Sequence, residues 1–188
     1  MAHTSSVLVT GCTGFLAPVT VYLINQGHFV YAIGRDPDRF KALRFILGDK
    51  AHLLHTIHCD YTDPEALEYA MGQFREFPDM SVHWLHSKFK SGAFKIAKLL
   101  NKFDKPHRFV HVLNSSAAAP GADPDHWRNR LQYLQMIHYQ RVILGFKMEE
   151  KGSRWLTHPE IVKGVIHTLE NPDEDHTVGQ LEPWYMRP

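Results

Sequence analysis

The chain has 188 residues, enough for one domain with a sizeable buried core and too few for two full ones. Its 21 Lys and Arg residues balance 20 Asp and Glu, so the overall charge gives no reason to expect nucleic acid or a membrane surface as a partner. Met-Ala-His-Thr-Ser-Ser at the N-terminus has no basic region, and the apolar run behind it stops at a glycine turn, too soon for a signal peptide or a membrane span. A soluble, cytoplasmic protein is expected.

Short apolar runs alternate with helical patterns along the chain. The first run, Val7–Thr10, leads through Gly11 and Gly14 into a helix expected to begin near Phe15. A strand at Phe29–Ile33 precedes Asp36-Pro37, an N-cap with proline at the first helical position; Phe40, Leu43 and Leu47 share one face and Gly48 stops the helix. A third strand, Leu53–His58, is followed by Thr62-Asp63-Pro64-Glu65, whose capping-box spacing opens a helix carrying Leu67, Met71 and Phe74. Val82–His86 then pairs with a helix over Gly92–Phe103, and Phe109–Leu113 runs into the small-residue loop Ser115–Gly121. A helix over Asp125–Ile137, a sixth strand Tyr139–Gly145 and a second capping box, Thr157-His158-Pro159-Glu160, complete the series. Strand and helix in alternation predict an α/β protein, a doubly wound parallel sheet of about six or seven strands with helices on both faces, the Rossmann fold. The expected organisation is one nucleotide-binding domain over residues 1–188 with a short tail from about 171, which contains Pro183-Trp184-Tyr185.

In a sheet ordered 3-2-1-4-5-6, ligands lie beyond the carboxyl ends of the strands where the order reverses. The residues just after each strand are therefore the site candidates. Gly11 suits the positive φ of a tight strand-to-helix turn, Gly14 lacks the Cβ that would hold a phosphate off the backbone, and Ala17 stands where helix packs on strand. With the helix dipole behind it, this loop is built for a pyrophosphate. At the end of the second strand, roughly 20 residues on, NAD-selective folds carry Asp or Glu for the ribose 2′-hydroxyl, whereas an Arg suits a 2′-phosphate. Here the sequence is Gly34-Arg35-Asp36, with Asp36 better used as an N-cap, so NADP is favoured over NAD.

The 14 histidines invite a metal reading, but His55 with His58 and His83 with His86 are oddly spaced on strands and face opposite sides. His107 and His111 share a strand face without an acidic or Cys partner nearby, and are read as solvated or hydrogen-bonded strand-end residues. No metal site is expected. Neither Cys12 nor Cys59 has metal-type spacing; Cys12 is read as a small filler of a cramped turn.

Thr10-Gly11-Cys12-Thr13-Gly14-Phe15-Leu16-Ala17 resembles the TGxxGxxG/A loop of the short-chain dehydrogenase/reductase superfamily, in its atypical and extended, epimerase-like and NmrA-like branches. The likeness covers most of the chain. It implies cofactor contacts from Thr10, Gly11, Cys12, Thr13, Gly14, Phe15 and Leu16, with Arg35 where NADP-preferring members carry a basic residue. Cys59-Asp60-Tyr61-Thr62-Asp63 is similar to the segment whose Asp contacts adenine, which implies roles for Asp60 and Tyr61. Ser87 falls where the family's chain passes the cofactor, and Ser115 where an active-site Ser or Thr commonly stands.

Two departures from the family pattern bear on chemistry. The Tyr-x-x-x-Lys pair, in which Lys lowers the Tyr pKa for proton exchange, is absent: Ile137 follows Tyr133 at the Lys position and Ile143 follows Tyr139. Ser115 and Tyr133 remain the catalytic candidates. Between the sixth strand and the Trp155 segment only Lys147–Arg154 intervene, so the substrate pocket is shallow, completed by a partner subunit, or covered by the C-terminal tail. An NADP(H)-dependent oxidoreductase acting on a small carbonyl compound is the leading expectation and a non-catalytic dinucleotide sensor or scaffold the alternative. An S-adenosylmethionine-dependent methyltransferase is more distant, because it generally needs an acid where Arg35 stands.

Overall fold

A computed structural model describes residues 5–85, 91–172 and 174–188. Its centre is a sheet of parallel strands in the order β3-β2-β1-β4-β5-β6-β9, formed by Leu54–His58, Phe29–Gly34, Ser6–Thr10, Met80–Trp84, His107–Asn114, Ile137–Leu144 and His176–Val178. The order reverses between β1 and β4, as a doubly wound sheet requires. Six helices surround it: α1 Ala17–Asn25, α2 Pro37–Leu47, α3 Pro64–Met71, α4 Gly92–Asn101, α5 His126–Leu131 and α6 His158–Glu170. An antiparallel hairpin of β7 (Phe146–Glu149) and β8 (Gly152–Trp155) leaves the end of β6. No helix among the described residues is long and apolar enough to cross a membrane.

Period-two alternation sends strand side chains to two separate cores. Val7, Val9, Val30, Ala32, Val82, Val110 and Val142 pack with Leu23, Phe40, Leu43 and Val165 of α1, α2 and α6. On the other face Leu8, Tyr31, Ile33, Ile57 and Phe109 meet Leu67, Met71, Ile96, Leu100 and Leu131 of α3, α4 and α5. Strands buried on both faces read as near-continuous apolar runs, which is why β1 and β2 were legible.

Several boundaries differ from the sequence expectation for identifiable reasons. α1 begins at Ala17 rather than near Phe15, because the carbonyl of Gly11 accepts N–H groups from both Gly14 (3.1 Å) and Leu16 (3.0 Å), which ties those residues into the turn. The cap of α3 is Asp63, whose carboxylate accepts the N–H groups of Glu65 and Ala66, while the Thr62 hydroxyl donates instead to Asp60. The helix expected over Asp125–Ile137 ends at Leu131, since Ile137 is drawn into pairing with His107. At α2 and α6 the caps are as read: Asp36 accepts from Asp38 and Arg39, and Thr157 and Glu160 form the capping box.

The C-terminal strand seats through glycines. A Cβ on Gly145 would lie 2.2 Å from the Gln180 carbonyl oxygen, and one on Gly164 2.2 Å from a Val178 methyl. Main-chain bonds from Gly145 to Val178 and between Phe146 and Gln180 extend that contact beyond β9, so the tail follows the sheet edge toward the carboxyl ends of β5 and β6.

Candidate functional site

The loop between β1 and α1 has the geometry of an anion cradle. Gly11 sits at φ +82°, and a Cβ there would press on the Trp84 carbonyl at 3.2 Å. Both make a side chain larger than hydrogen strained at this position. Gly14 is exposed; its missing Cβ faces open space whose nearest protein atom is Arg39 Nη1, 3.8 Å away. The Phe15 N–H makes no hydrogen bond among the described residues and is available to a ligand. Thr10, Cys12 and Leu16 turn their side chains into the core, which limits them to main-chain contact with anything lying on the loop. The Thr10 hydroxyl is hydrogen-bonded to His83 Nδ1 at 3.1 Å, and the Cys12 thiol donates to the Ile33 carbonyl at 3.3 Å. Burial pushes the Cys12 thiol up to about 12, so it is an inert packing group. Thr13 is half-buried.

Beyond β2 and β3 the structure brings Arg35 and Asp60 together. Arg35 Nη1 lies 3.3 Å from Asp60 Oδ2, and the Arg35 side chain is 71% exposed. Hydrogen bonds from Thr62, joined by the attraction of Arg35, hold the Asp60 carboxyl below its ordinary value. Tyr61 packs half-buried beside it. Sequence reading missed Arg39: one turn into α2, tied to Asp36 at 3.3 Å, it is the cation nearest Gly14. Its place three residues after an N-cap was the available clue, because that turn of the helix faces the glycine loop. Ser87 lies outside the described residues.

Aromatic side chains wall the loop on its other side. The Phe15 ring stacks on Trp84 with centroids 4.3 Å apart, and His158, at the start of α6, donates from Nε2 to the Phe15 carbonyl at 2.8 Å. Neither Trp84 nor His158 was singled out from the sequence, since a strand-end Trp and a helix-start His carry no spacing signature.

At the carboxyl ends of β5 and β6 a cavity of about 190 Å³ is lined by Asn114, Ser115, Leu144, Trp155, Leu156 and Arg187, among others. Ser115 is buried, and its hydroxyl accepts a hydrogen bond from Arg187 Nε at 2.9 Å. The hairpin that supplies Trp155 is clamped by Glu160, which binds Arg154 through both oxygens (2.8 and 3.0 Å) and Lys147 at 2.5 Å. Those cations and the Thr157 N–H hold the Glu160 carboxyl far below its ordinary value. Ser153 of β8 donates to the Met186 carbonyl, which fixes the tail over the cavity. The C-terminal tail, one of the three arrangements the short post-β6 segment allowed, thus covers this pocket.

Tyr133 is elsewhere. It is 80% exposed and precedes the first residue of β6, which puts it at the amino edge of the sheet, away from Ser115 at the carboxyl edge. The geometry does not bring these two together, and Tyr133 has no route to the glycine loop. Tyr139 is also unsuited to proton exchange: burial pushes its phenol well above the usual value, and it sits near His111 Nδ1. His107 and His111 prove buried rather than solvated, the first held by the Pro78 carbonyl and Ser81 hydroxyl, both at 2.7 Å. His55 and His58 do face opposite sides, toward Tyr31 and Phe40 respectively. Among the described residues no three His, Cys, Asp or Glu side chains converge as a metal site.

The chain has a Rossmann-type fold, and the solved structures it superposes on include short-chain dehydrogenase/reductases. A short-chain dehydrogenase/reductase from Vibrio parahaemolyticus superposes with a TM-score of 0.73 at 15% identity, over 92% of this chain and 98% of that one. Serine dehydrogenase from Escherichia coli gives 0.64 at 18%, over 93% and 96%. A short-chain dehydrogenase from Sphingobium yanoikuyae in complex with NADPH gives 0.70 at 13%, over 93% and 87%. No protein-family profile matches the sequence, and no curated protein matches it either.

Proposed function

We propose that this chain is an NADP(H)-binding oxidoreductase of the short-chain dehydrogenase/reductase type, with residues 1–188 acting as one nucleotide-binding domain. The observation that carries the reading is the pair of arginines at the carboxyl edge of β2: Arg35 is largely exposed, and Arg39 lies beside the open space above Gly14. A 2′-phosphate there meets two guanidinium groups whose present partners are the exposed carboxylates of Asp60 and Asp36, whereas the hydroxyl of NAD brings no charge to them. Gly11, Gly14 and the unpaired Phe15 N–H would carry the pyrophosphate, with Thr10, Cys12, Thr13 and Leu16 shaping the loop, and Asp60 and Tyr61 would flank the adenine. When bound, the nicotinamide supplies or accepts hydride. Ser115 then orients the substrate oxygen: its hydroxyl accepts from Arg187, which leaves its own proton free to donate.

Calorimetric titration with NADPH and NADH tests the cofactor assignment. Wild type should prefer NADPH, and Arg35→Ala should reduce that preference by about 1.5–3 kcal/mol, the worth of a hydrogen bond to a charged group. Equal affinity for both nucleotides in wild type removes the assignment.

A second reading, a dinucleotide sensor without turnover, is favoured by one observation: among the described residues no tyrosine with a Lys partner stands near Ser115. A screen of carbonyl compounds following NADPH absorbance separates the two. Steady oxidation with a defined substrate supports the enzyme; tight NADPH binding with none across the panel supports the sensor.

A further inference from the structure

The tail places a cation where a substrate of this site would lie, and that cation has no ion-pair partner among the described residues. Arg187, exposed at the pocket mouth, packs on two indoles, its guanidinium carbon 4.8 Å from the Trp155 ring centre and 5.1 Å from that of Trp184. Its Nε donates to Ser115, while its two terminal nitrogens make no hydrogen bond or ion pair among the described residues. Arg154 is paired with Glu149 and Glu160, while Arg128 and Arg141 share Asp175. Contact with the two indoles and the anchored Nε restrict how this guanidinium moves, and its terminal N–H groups form the edge that can receive two carboxylate oxygens in parallel. Around it Leu144, Leu156 and Ile161 give the cavity an apolar wall, and its volume of about 190 Å³ limits the occupant to a small molecule.

We infer that the Ser115–Arg187 pocket binds a small aliphatic carboxylate, with Arg187 gripping the acid group and Ser115 facing the adjacent oxygen, so that the substrate class is an oxo or hydroxy acid. The inference rests on reading this pocket as the reaction site, but its binding test stands apart from turnover. Arg187 is a specificity residue contributed by the tail, and the tail is an element of the site rather than a simple terminal strand.

The test is calorimetry with malonate and its neutral isostere malonamide, titrated into the full chain with and without NADP+. Malonate should bind at least about tenfold more tightly than malonamide, as expected for charge-assisted hydrogen bonds. Arg187→Gln should lower malonate affinity by at least about tenfold, Arg187→Lys should fall between, and Arg35→Ala should leave the affinity measured without nucleotide unchanged. Equal affinity for malonate and malonamide overturns the inference. So does loss in Arg35→Ala without loss in Arg187→Gln, which would put malonate on the nucleotide's phosphate site. NADPH titration of the same samples keeps the two readings apart. Nucleotide binding with no malonate selectivity refutes the carboxylate subsite alone, and malonate binding through Arg187 without nucleotide binding refutes the cofactor reading alone.

Discussion

The two halves of the sheet solve different problems. Around β1, β2 and β3 the strand ends present main chain and exposed charge: an open glycine, a free N–H and two arginines over a core that none of them disturbs. Around β5, β6 and β9 the strand ends are roofed by a hairpin and a tail, seated so closely that glycine is required at the contacts. Substitution at the exposed Gly14 should therefore affect binding, and at Gly145 or Gly164 stability.

The largest effect expected is at Gly14. Gly14→Val should abolish nucleotide binding while circular dichroism and unfolding stay native, because the new methyls enter the open space above the loop and not the core. Retained affinity would remove the loop from the site and dissolve the contrast.

Acid should act on β4 and β5. Burial lowers His107 to about 4 and His111 to about 3, and lowers His83 well below its usual value. The unfolded chain takes up these protons near pH 6.5 and the folded chain only at lower pH, so the folded state is fully favoured above about 6.5. Stability should fall as pH drops from about 6.5 toward 4, by about 1.4 kcal/mol per pH unit for each histidine. Denaturant titrations across that range measure it, and a flat profile would show that these side chains open to solvent.

Gly145→Ala should cost about 1–3 kcal/mol by urea unfolding, since its methyl meets the Gln180 main chain rather than a side chain that can swing aside. The roof over Ser115 should loosen with it. A neutral result would mean that the tail is not seated there. The smallest effect is at Tyr133: replacement by Phe should change stability by less than about 0.5 kcal/mol and leave nucleotide binding as it was, because the ring is exposed at the far edge of the sheet. A collapse of activity in that variant would contradict the placement of the site at the carboxyl edge.

The amino acid sequence by itself determined the parallel sheet, the glycine turn and the basic strand end. Those features rest on local rules: apolar runs for strands buried on both faces, Asp36-Pro37 and Thr157…Glu160 for helix starts, glycine where φ is positive. Tertiary structure decided what local rules do not reach. Arg39 gains its position only because α2 packs with its first turn beside Gly14, and Arg187 meets Ser115 across 72 residues because β9 carries the tail to the carboxyl edge. Burial of His83, His107 and His111 likewise depends on α3, α4 and α5 covering that face of the sheet. Tyr133 shows the limit from the other side, since no spacing rule told which edge of the sheet it would occupy once Ile137 was taken into β6. Contacts between residues far apart in sequence leave no periodic trace, and the substrate side of this molecule is made almost wholly of such contacts.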